Sequence, residues 1–276
     1  MDKVIRETCI AGAVIDRTVK ASFPHGGARR PKSKPTSEAV RKNNDRIAAK
    51  KLTRLINANF MPGDLHVTLT YAEVVNVEKA NHELDLWLRR MRREYHRRGR
   101  EFKYIAVTEY ENKRIHHHIV MSEIEFSTIN RQWTAGRIRC TALDETRSYK
   151  ALAEYLIKET QKTFRQPDNA LRRRWKASRN LIRPAVKREW VSVRELFRDP
   201  KALKGYQLDE DSIRRYQNPI TGLEHLEYQM IAIDQEPRLR RWKKGRKARP
   251  ETYIRMDDLR YQEKEFGEED CTWEMC

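Results

Sequence analysis

Between residues 62 and 99 the hydrophobic period changes from two to three and four, and this switch restricts the chain to folds in which a strand passes directly into a helix. After the turn Pro62-Gly63-Asp64, the segment Leu65-His66-Val67-Thr68-Leu69-Thr70-Tyr71 alternates apolar and polar residues. Leu65, Val67, Leu69 and Tyr71 therefore share the buried face of a strand. Val77, Ala80, Leu84, Trp87, Leu88, Met91 and Tyr95 follow at spacings of three and four, the stripe of an amphipathic helix that Gly99 ends. Its outer face carries Arg89, Arg90, Arg92, Arg93, Arg97 and Arg98.

Residues 102–110 read as a second strand, 111–114 as its turn and 115–122 as a third strand returning antiparallel. A short helix over 126–133, a strand over 137–140 after Gly136 and a helix over 145–163 complete the order βαββαβα. The expected class is α+β, an antiparallel β-sheet with helices covering one face, extended at both ends by basic, helical regions.

Those extensions hold much of the charge. The chain of 276 residues has 58 Lys plus Arg against 40 Asp plus Glu, a net charge of +18, which points to a long polyanion as partner. Residues 1–60 alone contain 14 Lys plus Arg and 5 Asp plus Glu. Within them, 23–37 (FPHGGARRPKSKPTS) lacks any period and reads as a loop or basic arm, and what precedes it reads as weakly structured. From Ser37, a helix N-cap, the apolar positions Ile47, Leu52, Leu55 and Ile56 mark a helix with one strongly basic face. Residues 161–190 hold ten Lys plus Arg and two acids, among them Arg172-Arg173-Arg174-Trp175-Lys176. Past Pro200 there are strand-like fragments, a basic run over 238–249 and an acidic tail. The expected division is a basic arm and helix at 1–60, a core at 61–165 and a basic DNA-binding or accessory region at 166–276.

Cys9, Cys140, Cys271 and Cys276 form no CxxC pair, which argues against a disulfide framework or a cysteine-rich zinc site. No apolar run approaches the roughly 18 residues of a membrane helix, and the N-terminal apolar stretch is too short for a signal peptide. A cytoplasmic setting with no membrane partner is the expectation.

Two local patterns carry chemistry. In a strand over His116-His117-His118 the outer two side chains point to one face and His117 to the other. His116 and His118 can share one ion, and Glu109, at the end of the preceding strand, is the candidate third ligand if the hairpin register brings it beside them. Two imidazoles and a carboxylate suit Mg²⁺ or Mn²⁺ and also zinc. The plainer reading is of histidines that are simply structural. The second pattern is Tyr155 and Lys158, three apart on one helical face. Covalent phosphoryl transfer needs a nucleophile, a stabiliser for the charge at phosphorus and an electrophilic activator; a tyrosine, a lysine and a metal ion supply them. A Tyr-x-x-Lys pair alone is most often just part of an amphipathic helix.

Taken in order, Val67-Thr68-Leu69-Thr70-Tyr71, His116-His117-His118 and Tyr155-Leu156-Ile157-Lys158 resemble the three motifs of the HUH endonucleases. The likeness is greatest to the single-tyrosine rolling-circle replication initiators of bacterial plasmids and phages. It extends to Asn59-Phe60 with Gly63-Asp64, Val107-Thr108-Glu109, and Ser178-Arg179-Asn180-Leu181 with Pro184, spanning roughly 37–190. Relaxases of the superfamily usually place the tyrosine ahead of the histidines; here it follows them. The resemblance implies that Glu109, His116 and His118 hold the divalent cation. It implies that Tyr155 attacks a scissile phosphate to leave a 5′-phosphotyrosine and a free 3′-OH, with Lys158 neutralising developing charge. It further implies single-stranded or hairpin DNA at a replication origin as substrate, with helicase, polymerase and single-strand-binding protein from the host, since the sequence has no Walker A motif. Tyr149 lies about 240° around a helix from Tyr155, which argues against a second nucleophile there. DNA contacts are expected from Arg89, Arg93, Arg172, Arg173, Arg174 and Arg179, with Trp175 stacking on an unpaired base; each also reads as an ordinary charged face or core tryptophan. The competing class is a non-enzymatic nucleic-acid-binding protein with a similar sheet.

Overall fold

The computed structural model describes residues 3–22, 37–109, 114–164, 173–233 and 253–254. The expected basic arm, apart from Ser37, lies outside these residues, as do Arg172, the run 238–249 and the acidic tail. The protein is α+β, built from antiparallel sheets interleaved with helices.

The expected core is present in the expected order. It comprises β3 (Leu65–Thr70), α2 (Val77–Arg97), β4 (Tyr104–Glu109), β5 (His116–Met121), α3 (Phe126–Gln132), β6 (Ile138–Ala142) and α4 (Lys150–Phe164). With β7 (Lys176–Ala177) these strands form one sheet of order β6-β3-β5-β4-β7, antiparallel throughout. Helices cover both faces rather than one. Leu65, Val67, Leu69, Tyr71, Ala106, Ile119 and Met121 pack beneath α2 and α3. Strand alternation sends Ile105, Val107 and Val120 the other way, where they meet Leu52 and Ile56 of α1 (Glu38–Asn59) and Ala153, Leu156 and Ile157 of α4. The sequence places α1 in an extension; in the structure its apolar stripe closes this second face. Ser37 caps it by accepting a hydrogen bond from the Val40 amide at 3.4 Å.

The start of α4 also differs from expectation. Arg147 adopts a positive φ of 59°, a conformation that no helical residue shares, so the helix begins only at Lys150. Tyr149 precedes it, its amide donating to Asn57 Oδ1 at 2.9 Å.

Residues 3–22, expected to be weakly structured, are two strands, β1 (Lys3–Ala11) and β2 (Val14–Ser22). They join β9 (Val186–Val191), β10 (Tyr206–Gln217) and β11 (Glu224–Ala232) in a second sheet of order β10-β11-β2-β1-β9. The short α5 (Arg194–Phe197) places Leu196 against its core of Val4, Ile15, Val19, Leu226 and Met230. Beyond α4 the described chain is thus mostly strand where a helical extension was expected. A two-stranded pair, β8 (Arg183–Pro184) with β12 (Tyr253–Ile254), completes the order. The β1–β2 turn needs Gly12: φ is +59°, and a Cβ there would lie 2.0 Å from the Asn57 carbonyl oxygen of α1, a collision that only glycine avoids.

The basic face of α1 fits against this second sheet. Arg54 reaches Asp16 at 3.2 Å, Arg46 reaches Glu227 at 2.7 Å, and Lys50 bridges Asp16 and Glu227 at 3.4 and 3.2 Å. Burial favours a neutral Glu227, but Lys50 and Arg46 outweigh it and hold the carboxyl down at about 2. Much of the N-terminal positive charge is therefore internal cement between the two sheets.

Candidate functional site

Residues of even and odd number on β5 part company at the histidines. His117 points beneath α2 and is fully enclosed. Its Nε2 lies 2.8 Å from the Tyr71 hydroxyl, which donates to the Ala80 carbonyl, and its Nδ1 lies 2.9 Å from Thr108 Oγ1. A neutral ring carrying its proton on Nε2 satisfies all of these, and burial pushes its pKa down to about 3. It is a structural residue, as strand alternation required.

His116 and His118 emerge on the opposite face, opposite Glu109 and Val107 of β4. Glu109 Oε2 stands 3.8 Å from His116 Nδ1 and 3.7 Å from His118 Nε2. The hairpin register therefore brings the expected three side chains together. These separations exceed hydrogen bonds, and among the described residues no three His, Cys, Asp or Glu side chains are gathered into a ready-made ion site. The donor chemistry nevertheless fits a cation. His118 Nε2 is buried without a hydrogen-bond partner, while its Nδ1 lies 3.3 Å from Thr68 Oγ1. Burial, reinforced by His66 and His116, lowers the His118 pKa to about 4, so the ring is neutral and keeps a lone pair for a ligand. His116 is also lowered, by burial and then Arg114; being half-exposed, its ring has room to turn.

Tyr155 arrives from α4. Its ring meets His118 edge-on at 5.5 Å between centroids and His66 at 6.4 Å, and it is 42% exposed. Burial raises its pKa, followed by the carboxylates of Glu159 and Glu109, while Arg139 acts in the opposite sense. Lys158 lies exposed on the same helix, one turn further on. Tyr149, by contrast, is buried and donates its hydroxyl to the Asp144 carbonyl at 3.3 Å.

The basic residues expected at DNA are dispersed. Arg89 and Arg93 are exposed on α2, across the sheet from Tyr155. Arg174 is committed to Asp45 at 2.6 Å, tying the chain after α4 to α1. Trp175 packs partly buried against the cluster formed by α1 and α4, and Arg173 and Arg179 are exposed.

Three neighbours of the site escaped the sequence reading. His66 stacks on His118 at 5.6 Å and 25°, with Nε2 buried and unpartnered; burial and then Arg139 lower its pKa. Its signal was its place among the polar positions of β3, on the same side as Thr68. Glu159 follows Tyr155 by four residues on the same helical face, and Arg139 pairs with Thr68 across β6 and β3.

Fold and site together define an α+β core that gathers two histidines, a glutamate and a tyrosine on one side of an antiparallel sheet. Residues 64–164, which contain all four, match the family model of the replication-associated protein ORF2, consistent with a rolling-circle replication initiator. Neither a curated protein nor a solved structure shows a significant match to the chain. Among the described residues no helix is long and apolar enough to cross a membrane.

Proposed function

We propose that the protein nicks and rejoins single-stranded or hairpin DNA at a replication origin by tyrosine transesterification. The observation that carries this reading is the edge-on approach of Tyr155 to His118, on the sheet face that also holds Glu109 and His116, within the segment matched by a replication family. In the reaction Tyr155 Oη forms a bond to the scissile phosphorus as the bond from phosphorus to the 3′-oxygen breaks. The phenolic proton leaves to solvent and the 3′-oxygen gains one. The products are a 5′-phosphotyrosine and a free 3′-OH, and attack by a 3′-OH in the reverse sense rejoins a strand without consuming a nucleotide.

Glu109, His116 and His118 would hold a divalent cation, Mg²⁺ or Mn²⁺. When bound, it supplies electrophilic activation of the phosphate. The protein's own groups set the remaining terms. A free tyrosine has a pKa of about 10, and burial with Glu159 and Glu109 raises that of Tyr155 further, so neutralising Glu109 removes one barrier to phenolate formation. Lys158 faces solvent within reach of a strand lying on α4 and neutralises charge developing at phosphorus. Strand separation and extension from the 3′-OH fall to a helicase, a polymerase and a single-strand-binding protein of the host.

The test compares the purified protein with Tyr155→Phe on end-labelled oligonucleotides from the replicon that encodes it, with Mn²⁺, on denaturing gels. The wild type is expected to yield a covalent adduct and a shortened strand ending in 3′-OH, and the variant neither. If both bind the true origin yet neither forms an adduct, the protein is a non-enzymatic DNA-binding module instead.

A further inference from the structure

The edge strand β6 contributes a cation that the reading above does not use. Ile138 and Cys140 pack against the core beneath α2 and α3, so alternation turns Arg139 to the face of Tyr155 and the histidines. The register agrees: Arg139 stands opposite Thr68, which in turn stands opposite His118. Its charge stabilises the ionised phenol of Tyr155 and disfavours a protonated His66, as expected of a guanidinium near both rings.

Most arginines around this core already have a carboxylate. Arg54 has Asp16, Arg46 has Glu227, Arg174 has Asp45, and Arg97 and Arg98 share Glu94. Arg139 is exposed, and among the described residues it makes no ion pair with a carboxylate. The place matters as much as the freedom. Glu109 and Glu159 bear on Tyr155 and repel any phosphodiester that approaches it, and both repulsions must be offset from another direction. Arg139 reaches the same phenol from β6, the open edge of the sheet, where no neighbouring strand blocks an incoming chain.

We propose that Arg139 binds a backbone phosphate of the single strand beside Tyr155, so that the DNA crosses the site over the β6 edge rather than along the arginine face of α2. The planar fork of guanidinium donors matches phosphate oxygens in pairs. This assignment rests on the nicking reading, but part of its test does not require cleavage.

The experiment uses the full chain and its Arg139→Gln and Arg139→Lys variants. Two quantities are read: affinity for an unstructured labelled oligonucleotide by anisotropy with EDTA over a salt series, and the single-turnover rate of adduct formation with Mn²⁺. Arg139→Gln is expected to weaken binding about tenfold and flatten the salt slope by about one unit. Its adduct rate should fall at least as far, and Arg139→Lys should recover part of the binding. The thermal midpoint should not move, because the side chain is exposed and unpaired. Binding, salt slope and adduct rate all equal to wild type would overturn the proposal. If the wild type forms no adduct but Arg139→Gln still loses affinity and slope, the nicking reading fails and the Arg139 phosphate contact stands.

Discussion

The two faces of the β6-β3-β5-β4-β7 sheet are woven from the same strands and have opposite characters. Beneath α2 and α3 every β3 residue that points inward is apolar, and the one histidine, His117, has both ring nitrogens engaged by Tyr71 and Thr108. On the other side β3 offers His66, Thr68 and Thr70, and both His66 Nε2 and His118 Nε2 are buried without partners. Trp87 Nε1 is the exception on the packed face. An unsatisfied buried polar group costs about 1–3 kcal/mol, and such groups persist chiefly where a ligand or reaction completes them. One face therefore holds the sheet together and the other is left incomplete, and Tyr155 is delivered to the incomplete one.

The contrast is sharpest if substitutions on the two faces fail in different ways. On the packed face, Trp87 is fully buried in the largest cluster, and Trp87→Ala should lower the unfolding free energy by about 3–5 kcal/mol in a denaturant titration. A change below about 1 kcal/mol would mean that α2 contributes little to the sheet. On the open face, His118→Ala should reduce Mn²⁺-dependent adduct formation about a hundredfold or more. Its loss of stability should be small, because the deleted Nε2 had no partner. His117→Leu should do the reverse. It leaves the Tyr71 and Thr108 hydroxyls without their ring partner and should cost about 1–3 kcal/mol of stability, while the folded fraction still forms adduct at a near-normal rate. Equal losses of activity in His117→Leu and His118→Ala, at equal folded fraction, would merge the three histidines into one site and dissolve the distinction.

How much of this was legible follows from which interactions are local. The strand and helix periods around Leu65–Thr70 and Val77–Arg97 needed no knowledge of the rest of the chain, and alternation alone separated His117 from His116 and His118. Glu109 was reachable because its partner strand is the next one. The β1–β2 hairpin was not, since its neighbours β9 and β11 come from beyond residue 185 and its strands carry Glu7, Asp16, Arg17 and Lys20 among the apolar positions. Those charges look like solvent-facing residues until Arg54, Lys50 and Arg188 are placed against Asp16 and Glu7. The basic face of α1 misled for the same reason. Sequence shows that a cation is present and not which carboxylate meets it, so Arg174 read as a DNA contact and Arg139, two positions past Arg137 on an edge strand, did not.

The smallest expected effect tests whether the open face is organised as well as incomplete. Thr68 Oγ1 lies 3.3 Å from His118 Nδ1, and a hydrogen bond donated from Nδ1–H places the lone pair on Nε2, facing Glu109. Thr68→Val keeps the branched shape and removes the hydroxyl, so packing on the strand should hardly change while the ring loses what fixes its tautomer. The expectation is a roughly tenfold increase in the Mn²⁺ concentration that gives half-maximal nicking, with the rate at saturating metal nearly restored. A fall in the saturating rate at unchanged metal dependence would place Thr68 at the DNA instead of behind the histidine. No change in either would leave His118 oriented by its stacking on His66 alone, and the difference between the two faces would then reduce to polarity without organisation.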